Sequence, residues 1–269
     1  MDAQLGVIFG LTFLINLIGS LAYSVRIAGV RTGRIALSFS LFNVLVLVSR
    51  TANTFQTPLL AKRVEHGLNA PEIAVSSLTD FRWLLFSASL ATVLGAMLTP
   101  TFQRLFTKAV AAFARDRSLP KLVLRALTPA ALSHVREAVV MPSPANIIEG
   151  RRVRAPIAGG VMLINVFATS VWTVGVFAAL YAGYLAPEYR ATASNLSGVI
   201  NGIATILLFA VVDPFLAMLT DDVVGGRSTE PAFRRAVVWM LGSRLAGTAL
   251  AQLLLLPSAH LIAVLARSI

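Results

Sequence analysis

The sequence predicts an all-α, polytopic membrane protein with about six transmembrane helices, and three observations support this. Of its 269 residues, 57% are hydrophobic and only 13% are charged, whereas a soluble domain usually carries about 25% charged residues. The mean hydropathy is +0.78. Six segments are long and apolar enough to cross a bilayer, which takes about 20 residues. We therefore expect residues 1–269 to form a single membrane domain.

Each predicted span is a long apolar run bounded by polar residues. The first span begins with MDAQ, which contains no Lys or Arg, and no small-residue cleavage site follows it. We interpret it as a true span and not as a signal peptide. The third span is the clearest, with Trp83 at one end as an interface anchor. The predicted spans cover roughly residues 3–25, 35–60, 83–103, 157–185, 194–219 and 236–263.

One long connection, residues 104–155, separates the third and fourth predicted spans. Its apolar and basic residues alternate at roughly helical spacing, which is typical of amphipathic helices that lie on a membrane surface. We expect such helices to brace the bundle, with contact to anionic lipid or substrate as the alternative. The apolar positions that would face lipid are Leu105, Val110, Phe113, Leu122, Leu127 and Leu132.

Basic residues are distributed unevenly between the two faces of the predicted bundle. The connections on one face carry 16 Lys or Arg residues, and those on the other face carry five. Because cytoplasmic loops are enriched in Lys and Arg, we expect both termini outside and the 104–155 connection in the cytoplasm. The net charge of +11 then reflects topology and anionic lipid, and nucleic acid is a poor explanation of it.

The sequence offers little support for an enzyme or a metalloprotein. It contains no cysteine, and its three histidines lie far apart without a metal-ligand spacing. A phosphate-binding Walker loop is also missing from the sequence. We therefore expect no catalytic residues, no metal and no cofactor.

Three ionisable residues fall inside the predicted spans, where charge costs a few kcal/mol. At 1.5 Å per residue, Asp213 and Arg244 come out at similar depths on consecutive spans. We therefore predict an ion pair between them, either structural or functional. Arg50 comes out in the outer part of the bilayer without an acidic partner, so we expect it to contact an anionic substrate or to be satisfied within the bundle.

Polar residues on several spans predict a cavity between helices. Asn43, Arg50, Asn53 and Thr57 share one face of the second helix, and the fifth and sixth helices carry similar stripes. Arginine suits a diphosphate because its planar fork meets phosphate oxygens in pairs. Three further arginines between the first two spans form a possible capture site. The candidate substrate-binding residues are Arg26, Arg31, Arg34, Asn43, Arg50, Asn53, Thr57, Asn201, Asp213 and Arg244.

The segment YSVRIAGVRTGRIALSFSLFNVLVLVSRTANTFQTPLLAKRVE, residues 23–65, resembles the Amj family of bacterial lipid II flippases. The resemblance rests on YSVR at 23–26, AGVRT at 28–32, and Ser49-Arg50 followed by Asn53 and Pro58. It implies transport of lipid II, the undecaprenyl-diphosphate-linked precursor, from the inner to the outer leaflet of the bacterial plasma membrane. Peptidoglycan synthesis and cell shape would depend on that step.

Six helices are few to enclose so large a headgroup, so we predict a homodimer with shared or paired cavities. Two alternatives stay open. A proton- or ion-coupled transporter would use Asp213 and tolerate the loss of Arg50. A scaffold of cell-wall synthesis would have a dry, fully packed bundle in which Arg50 is satisfied internally.

Overall fold

The computed structural model describes residues 2–68, 71–116, 136–140 and 158–269, together with the single residues 118, 121, 124 and 128. Long α-helices contain most of these residues, and none of the described residues lies in a β-strand. Six stretches are long and apolar enough to cross a membrane, which confirms the predicted fold class. The helices are α1 (Ala3–Thr32), α2 (Ile35–Leu68), α3 (Pro71–Asp116), α4 (Gly159–Leu185), α5 (Arg190–Leu207), α6 (Asp213–Val224) and α7 (Glu230–Ser268).

The helices pack as two groups that meet mainly where α3 lies against α7. α1 lies against α2 and α3, while α4 lies against α5 and α7. Near the start of α1, a large apolar cluster joins Ile8, Phe81 and Phe177 to the last part of α7. Near the end of α1, a second cluster joins Ile27 to α6 and to the first part of α7. On α1, three residues that line the cavities described below, Thr12, Asn16 and Gly19, lie between these two clusters.

The first span is longer than predicted and carries an arginine inside it. α1 continues past residue 25 to Thr32 and stops at Gly33, whose φ of 64° is the left-handed conformation that glycine adopts readily. This turn lets α2 begin at Ile35. Arg26 therefore lies within the helix, with only 7% of its surface exposed, and not in a loop at the membrane surface.

The long connection begins differently from the prediction. α3 has 46 residues, about 69 Å at 1.5 Å per residue, so residues 104–116 continue the third span and do not start a separate interfacial helix. Val110, expected to face lipid, is fully buried against Val25, Ala28 and Leu41. The prediction failed because burial against α1 and α2 gives the same apolar periodicity as contact with lipid. Leu122, Leu127 and Leu132 lie outside the described residues.

The fifth span changes its helical winding near its middle. α5 passes through a π-helical turn at Leu208–Val212 and then into α6, which begins with Asp213 and Pro214. Proline has no backbone N–H to donate and its ring crowds the preceding turn, which accounts for the wider winding just before it. The turn places Asp213 toward the interior of the bundle.

Candidate functional site

The main cavity of the described structure lies where α1, α2, α4, α7 and the α5–α6 span meet. Its volume is about 160 Å³, which is below the range of about 300–1,000 Å³ typical of sites for drug-sized ligands. Its walls are mostly apolar, and they include Phe209, whose side chain is half exposed. The charged side chains that line it are Arg26, Arg50, Asp213 and Arg244.

Arg26 and Asp213 form an ion pair across this cavity. Arg26 Nη2 donates to Asp213 Oδ1 at 2.5 Å, and the guanidinium carbon lies 5.5 Å from the centre of the Phe39 ring and 5.1 Å from that of Phe42. Aromatic faces and a carboxylate together compensate a buried cation. The structure therefore corrects the predicted pairing of Asp213 with Arg244. That prediction ended the first span at residue 25 and so left Arg26 out of consideration.

Arg244 lies opposite Gly19 of α1. A Cβ atom at Gly19 would come within 2.9 Å of the Arg244 Cζ atom, so the missing side chain of glycine makes the space that the guanidinium occupies. The Arg244 Nε atom is buried without a hydrogen-bond partner, and the described residues offer this side chain no carboxylate. Arg244 thus brings a second positive charge to the cavity with unused donors.

Arg50 brings the third positive charge. It lies near the middle of α2, about 22 Å from one helix end and about 27 Å from the other. The prediction ended the second span at residue 60, whereas α2 runs to Leu68. Arg50 is exposed on α2, and among the described residues its side chain has no hydrogen bond or ion pair.

The predicted capture cluster is split in the structure. Arg26 lies in the cavity, whereas Arg31 donates from Nε to Glu230 Oε1 at 2.6 Å at the end of the bundle. Arg34 is exposed at the turn between α1 and α2, and in the described part of the chain its side chain has no partner. The structure does not bring these three arginines to one site.

The remaining predicted site residues lie at several different places. Asn43 is exposed on α2, and Thr57 donates its hydroxyl hydrogen to the backbone oxygen of Asn53. Asn201 is directed at Gly175 of α4, where a Cβ atom would meet its Oδ1. Asn201 therefore fits helix packing between α4 and α5 and does not line the charged cavity.

A small polar cavity, missed by the sequence analysis, adjoins the charged one. Its volume is about 30 Å³, and it shares Ile15 and Trp172 with the larger cavity. Thr12 and Asn16 are four residues apart on α1, which places them on one helix face, so this spacing within an apolar run was the available signal. The polar residues that line it are Thr12, Asn16, Asn53, Gln56 and Thr173.

The charges of the larger cavity are unbalanced. Three arginines and one aspartate give the cavity lining a formal charge of +2. Arg244 is partly buried without a carboxylate, whereas Arg50 is exposed on α2, and unpaired charge within a membrane span is costly. An anion with two negative charges would neutralise it. In the part of the chain that the structure describes, no group of three or more His, Asp or Glu residues could hold a metal ion.

Comparison with known proteins identifies the family. The family model described as Amj, alternate to MurJ, matches residues 11–266. This chain belongs to the Amj family. It is similar to the lipid II flippase Amj of Bacillus subtilis strain 168, with 39% identity over 265 residues, which cover 98% of this chain and 97% of that protein. A search of solved structures finds no match.

Proposed function

We propose that this Amj family member is a lipid II flippase that carries the undecaprenyl-diphosphate-linked precursor from the inner to the outer leaflet. The observation that carries the proposal is the cavity with a net charge of +2 at the meeting point of the helices. The similarity to a relative named as a lipid II flippase supports it. The protein would then act by binding and moving its ligand, without catalysing a covalent reaction.

The charge of the ligand matches that of the cavity. A diphosphate esterified at both ends carries two negative charges, one on each phosphate group. Arg50 and Arg244 have unused donors, so each can offer a two-pronged contact to phosphate oxygens. Arg26 would keep Asp213 as its partner while adding positive charge nearby. The cavity of about 160 Å³ suits the diphosphate and the first part of the sugar, and not the whole headgroup.

The shape of the site suits a ligand with a long lipid tail. Phe209, which lines the cavity, is half exposed, and α2 and α5 carry exposed apolar residues such as Leu47 and Ile206. A polyprenyl chain can remain in the bilayer while only its charged end enters the cavity. The large sugar and peptide portion would extend past the cavity, and two copies of the chain together would shield it better than one.

The proposed orientation follows the distribution of basic residues. With both termini outside, the end of the bundle at Gly33 faces the cytoplasm, together with exposed Arg34, Arg104 and Lys108. These side chains would contact anionic lipid headgroups in the inner leaflet. We place the protein in the bacterial plasma membrane on this basis.

Translocation of lipid II in proteoliposomes tests the proposal. Arg50→Gln removes one of the two cations without a carboxylate, and we expect transport at low lipid II concentration to fall about 10- to 100-fold, since a charge-assisted hydrogen bond contributes about 1.5–3 kcal/mol. Arg34→Gln is the matched control, because Arg34 is exposed and lies outside the cavity. It should transport like the natural protein.

The same assay separates the alternatives. A transporter coupled to protons through Asp213 should lose activity in Asp213→Asn and keep it in Arg50→Gln, and it should not require lipid II. A scaffold should move lipid II in none of the variants. Among the described residues Arg50 is exposed and has no partner, which supports transport over a scaffold in which Arg50 is satisfied internally. Transport by Arg50→Gln at the natural rate would contradict a diphosphate contact at this residue.

A further inference from the structure

The small cavity beside the charged one has a different chemistry. It is lined by amides and hydroxyls on α1, α2 and α4, with no charged side chain among its lining residues. Ile15 and Trp172 belong to the walls of both cavities, so a ligand held by the arginines lies next to it. Asn16, which is 4% exposed, has an Oδ1 atom that is buried without a hydrogen-bond partner.

The hydrogen bonds around Asn16 fix which of its atoms is free. Asn16 Nδ2 donates to the backbone oxygen of Thr12 at 3.0 Å, and a carbonyl oxygen can only accept. The amide therefore cannot be turned around, and the unpartnered atom is the oxygen. Buried polar atoms nearly always have a partner, so this free acceptor requires an explanation.

The hydrogen bond between Thr12 and Gln56 of the facing helix, α2, also has a fixed direction. The Thr12 hydroxyl donates to the backbone oxygen of Ile8 at 2.9 Å, so it must accept from Gln56 Nε2, which lies 2.6 Å away. One N–H of the Gln56 NH₂ group is therefore used, and its second N–H and its Oε1 remain. Asn16 likewise keeps one N–H, and its Oδ1 is the buried acceptor without a partner in this cavity.

A diphosphate cannot supply the hydrogen that the Asn16 oxygen lacks. A diphosphate esterified at both ends has acceptor oxygens only and would face the Asn16 oxygen without a hydrogen to share. A sugar hydroxyl or an acetamido N–H, in contrast, can donate to Asn16 Oδ1. The volume of about 30 Å³ is about that of one water molecule, so it takes a single such group and not a whole ring.

We propose that this cavity is a sugar subsite, in which a hydroxyl or amide N–H of the first sugar donates a hydrogen bond to Asn16 Oδ1. The sugar ring itself would lie in the larger cavity against Trp172, which lines both spaces. This inference rests on the proposed function, because the diphosphate at the arginines brings the sugar next to Asn16. It assigns recognition of the glycan to α1, α2 and α4, and recognition of the charge to the arginines.

Binding of two probes to the purified protein tests the subsite. The probes are lipid II and undecaprenyl diphosphate, which share the lipid and the diphosphate. Undecaprenyl diphosphate lacks the glycan and peptide and has a free terminal phosphate with an additional ionisable oxygen, so each variant is compared with the natural protein for the same probe. For Asn16→Leu we expect about 10-fold weaker binding of lipid II, because a buried sugar donor is left unpaired. Binding of undecaprenyl diphosphate should stay within about twofold.

Asn165→Leu is the matched control for the loss of a buried asparagine. Asn165 is fully buried on α4, and its Oδ1 is also without a partner, but its Nδ2 donates to Met240 and Ser243 and it lines neither cavity. It should leave the ratio of the two affinities unchanged. Gln56→Leu, on the facing helix, is the second variant if Asn16→Leu does not fold, and it should change the ratio in the same direction.

The outcomes distinguish this inference from the proposed function. Equal losses for both probes in Asn16→Leu, or no loss for lipid II, would overturn the sugar subsite and leave the diphosphate site standing. If the natural protein binds neither probe, the proposed function fails and the subsite fails with it. Arg50→Gln, which should weaken both probes, confirms that the assay reports the diphosphate.

Discussion

The ion pair between Arg26 and Asp213 should be the strongest electrostatic contact between α1 and the α5–α6 span. Breaking a buried ion pair by removing one partner costs about 3–5 kcal/mol, and an exposed pair contributes about 0–1 kcal/mol. Arg26 is 7% exposed and Asp213 is 26% exposed, so the pair lies nearer to the buried limit. Because Phe39 and Phe42 still cover the guanidinium when Asp213 is lost, we expect a coupling energy of about 2–3 kcal/mol.

A double-mutant cycle measures this coupling. The variants are Arg26→Gln, Asp213→Asn and the two combined, and the measurement is the free energy of unfolding in detergent, followed by tryptophan fluorescence during a denaturant titration. Each single variant should be less stable than the natural protein. The loss of unfolding free energy in the double variant should be about 2–3 kcal/mol smaller than the sum of the two single-variant losses.

A matched cycle at Arg31 and Glu230 provides the control. That pair also joins α1 to another helix, at 2.6 Å, but both side chains are about 30% exposed at the end of the bundle, so its coupling should stay below about 1 kcal/mol. A coupling at Arg26 and Asp213 no larger than the control value would refute the reasoning, because it would mean that solvent screens the pair or that it does not form.

Two further predictions concern the third arginine and the number of subunits. Gly19→Ala should push the Arg244 guanidinium away from its present position, so lipid II binding should weaken about 10-fold. The free energy of unfolding should change by less than about 1 kcal/mol, because the side chain that must move is flexible. Gly10→Ala, whose Cβ meets nothing within 4 Å, should leave binding unchanged, and equal binding by both variants would contradict the role of Gly19. A detergent-corrected mass of the purified protein should equal twice the chain mass of 28.7 kDa, and the mass of a single chain would contradict the homodimer.

The spans could be predicted from the sequence because their apolar runs exceed the length that a bilayer requires. The ends of the helices could not, since a prediction stops a span at its first charged residue. Arg26 shows why this fails: its charge is compensated by Asp213, Phe39 and Phe42, which come from other parts of the chain. The pairing of Arg26 with Asp213 was missed for the same reason.

The polar stripe on α2 gave part of the site, namely Arg50 and Asn53, but not its other half. Thr12 and Asn16 each look like a single tolerated polar residue within an apolar helix. Their importance depends on Gln56 reaching across from α2 and on Trp172 arriving from α4, and long-range contacts of this kind leave no local pattern. Asn201 shows the opposite case, since its position on a polar stripe reflects close packing against Gly175.

The most direct test of the account is a structure of the protein with lipid II bound. The account predicts both phosphate groups between Arg50 and Arg244, with nitrogen–oxygen distances of about 2.7–2.9 Å, the Arg26–Asp213 pair intact, and the first sugar against Trp172. Phosphate groups located away from this cavity, at the exposed arginines near Gly33 for example, would contradict the central claim that the cavity is the diphosphate site.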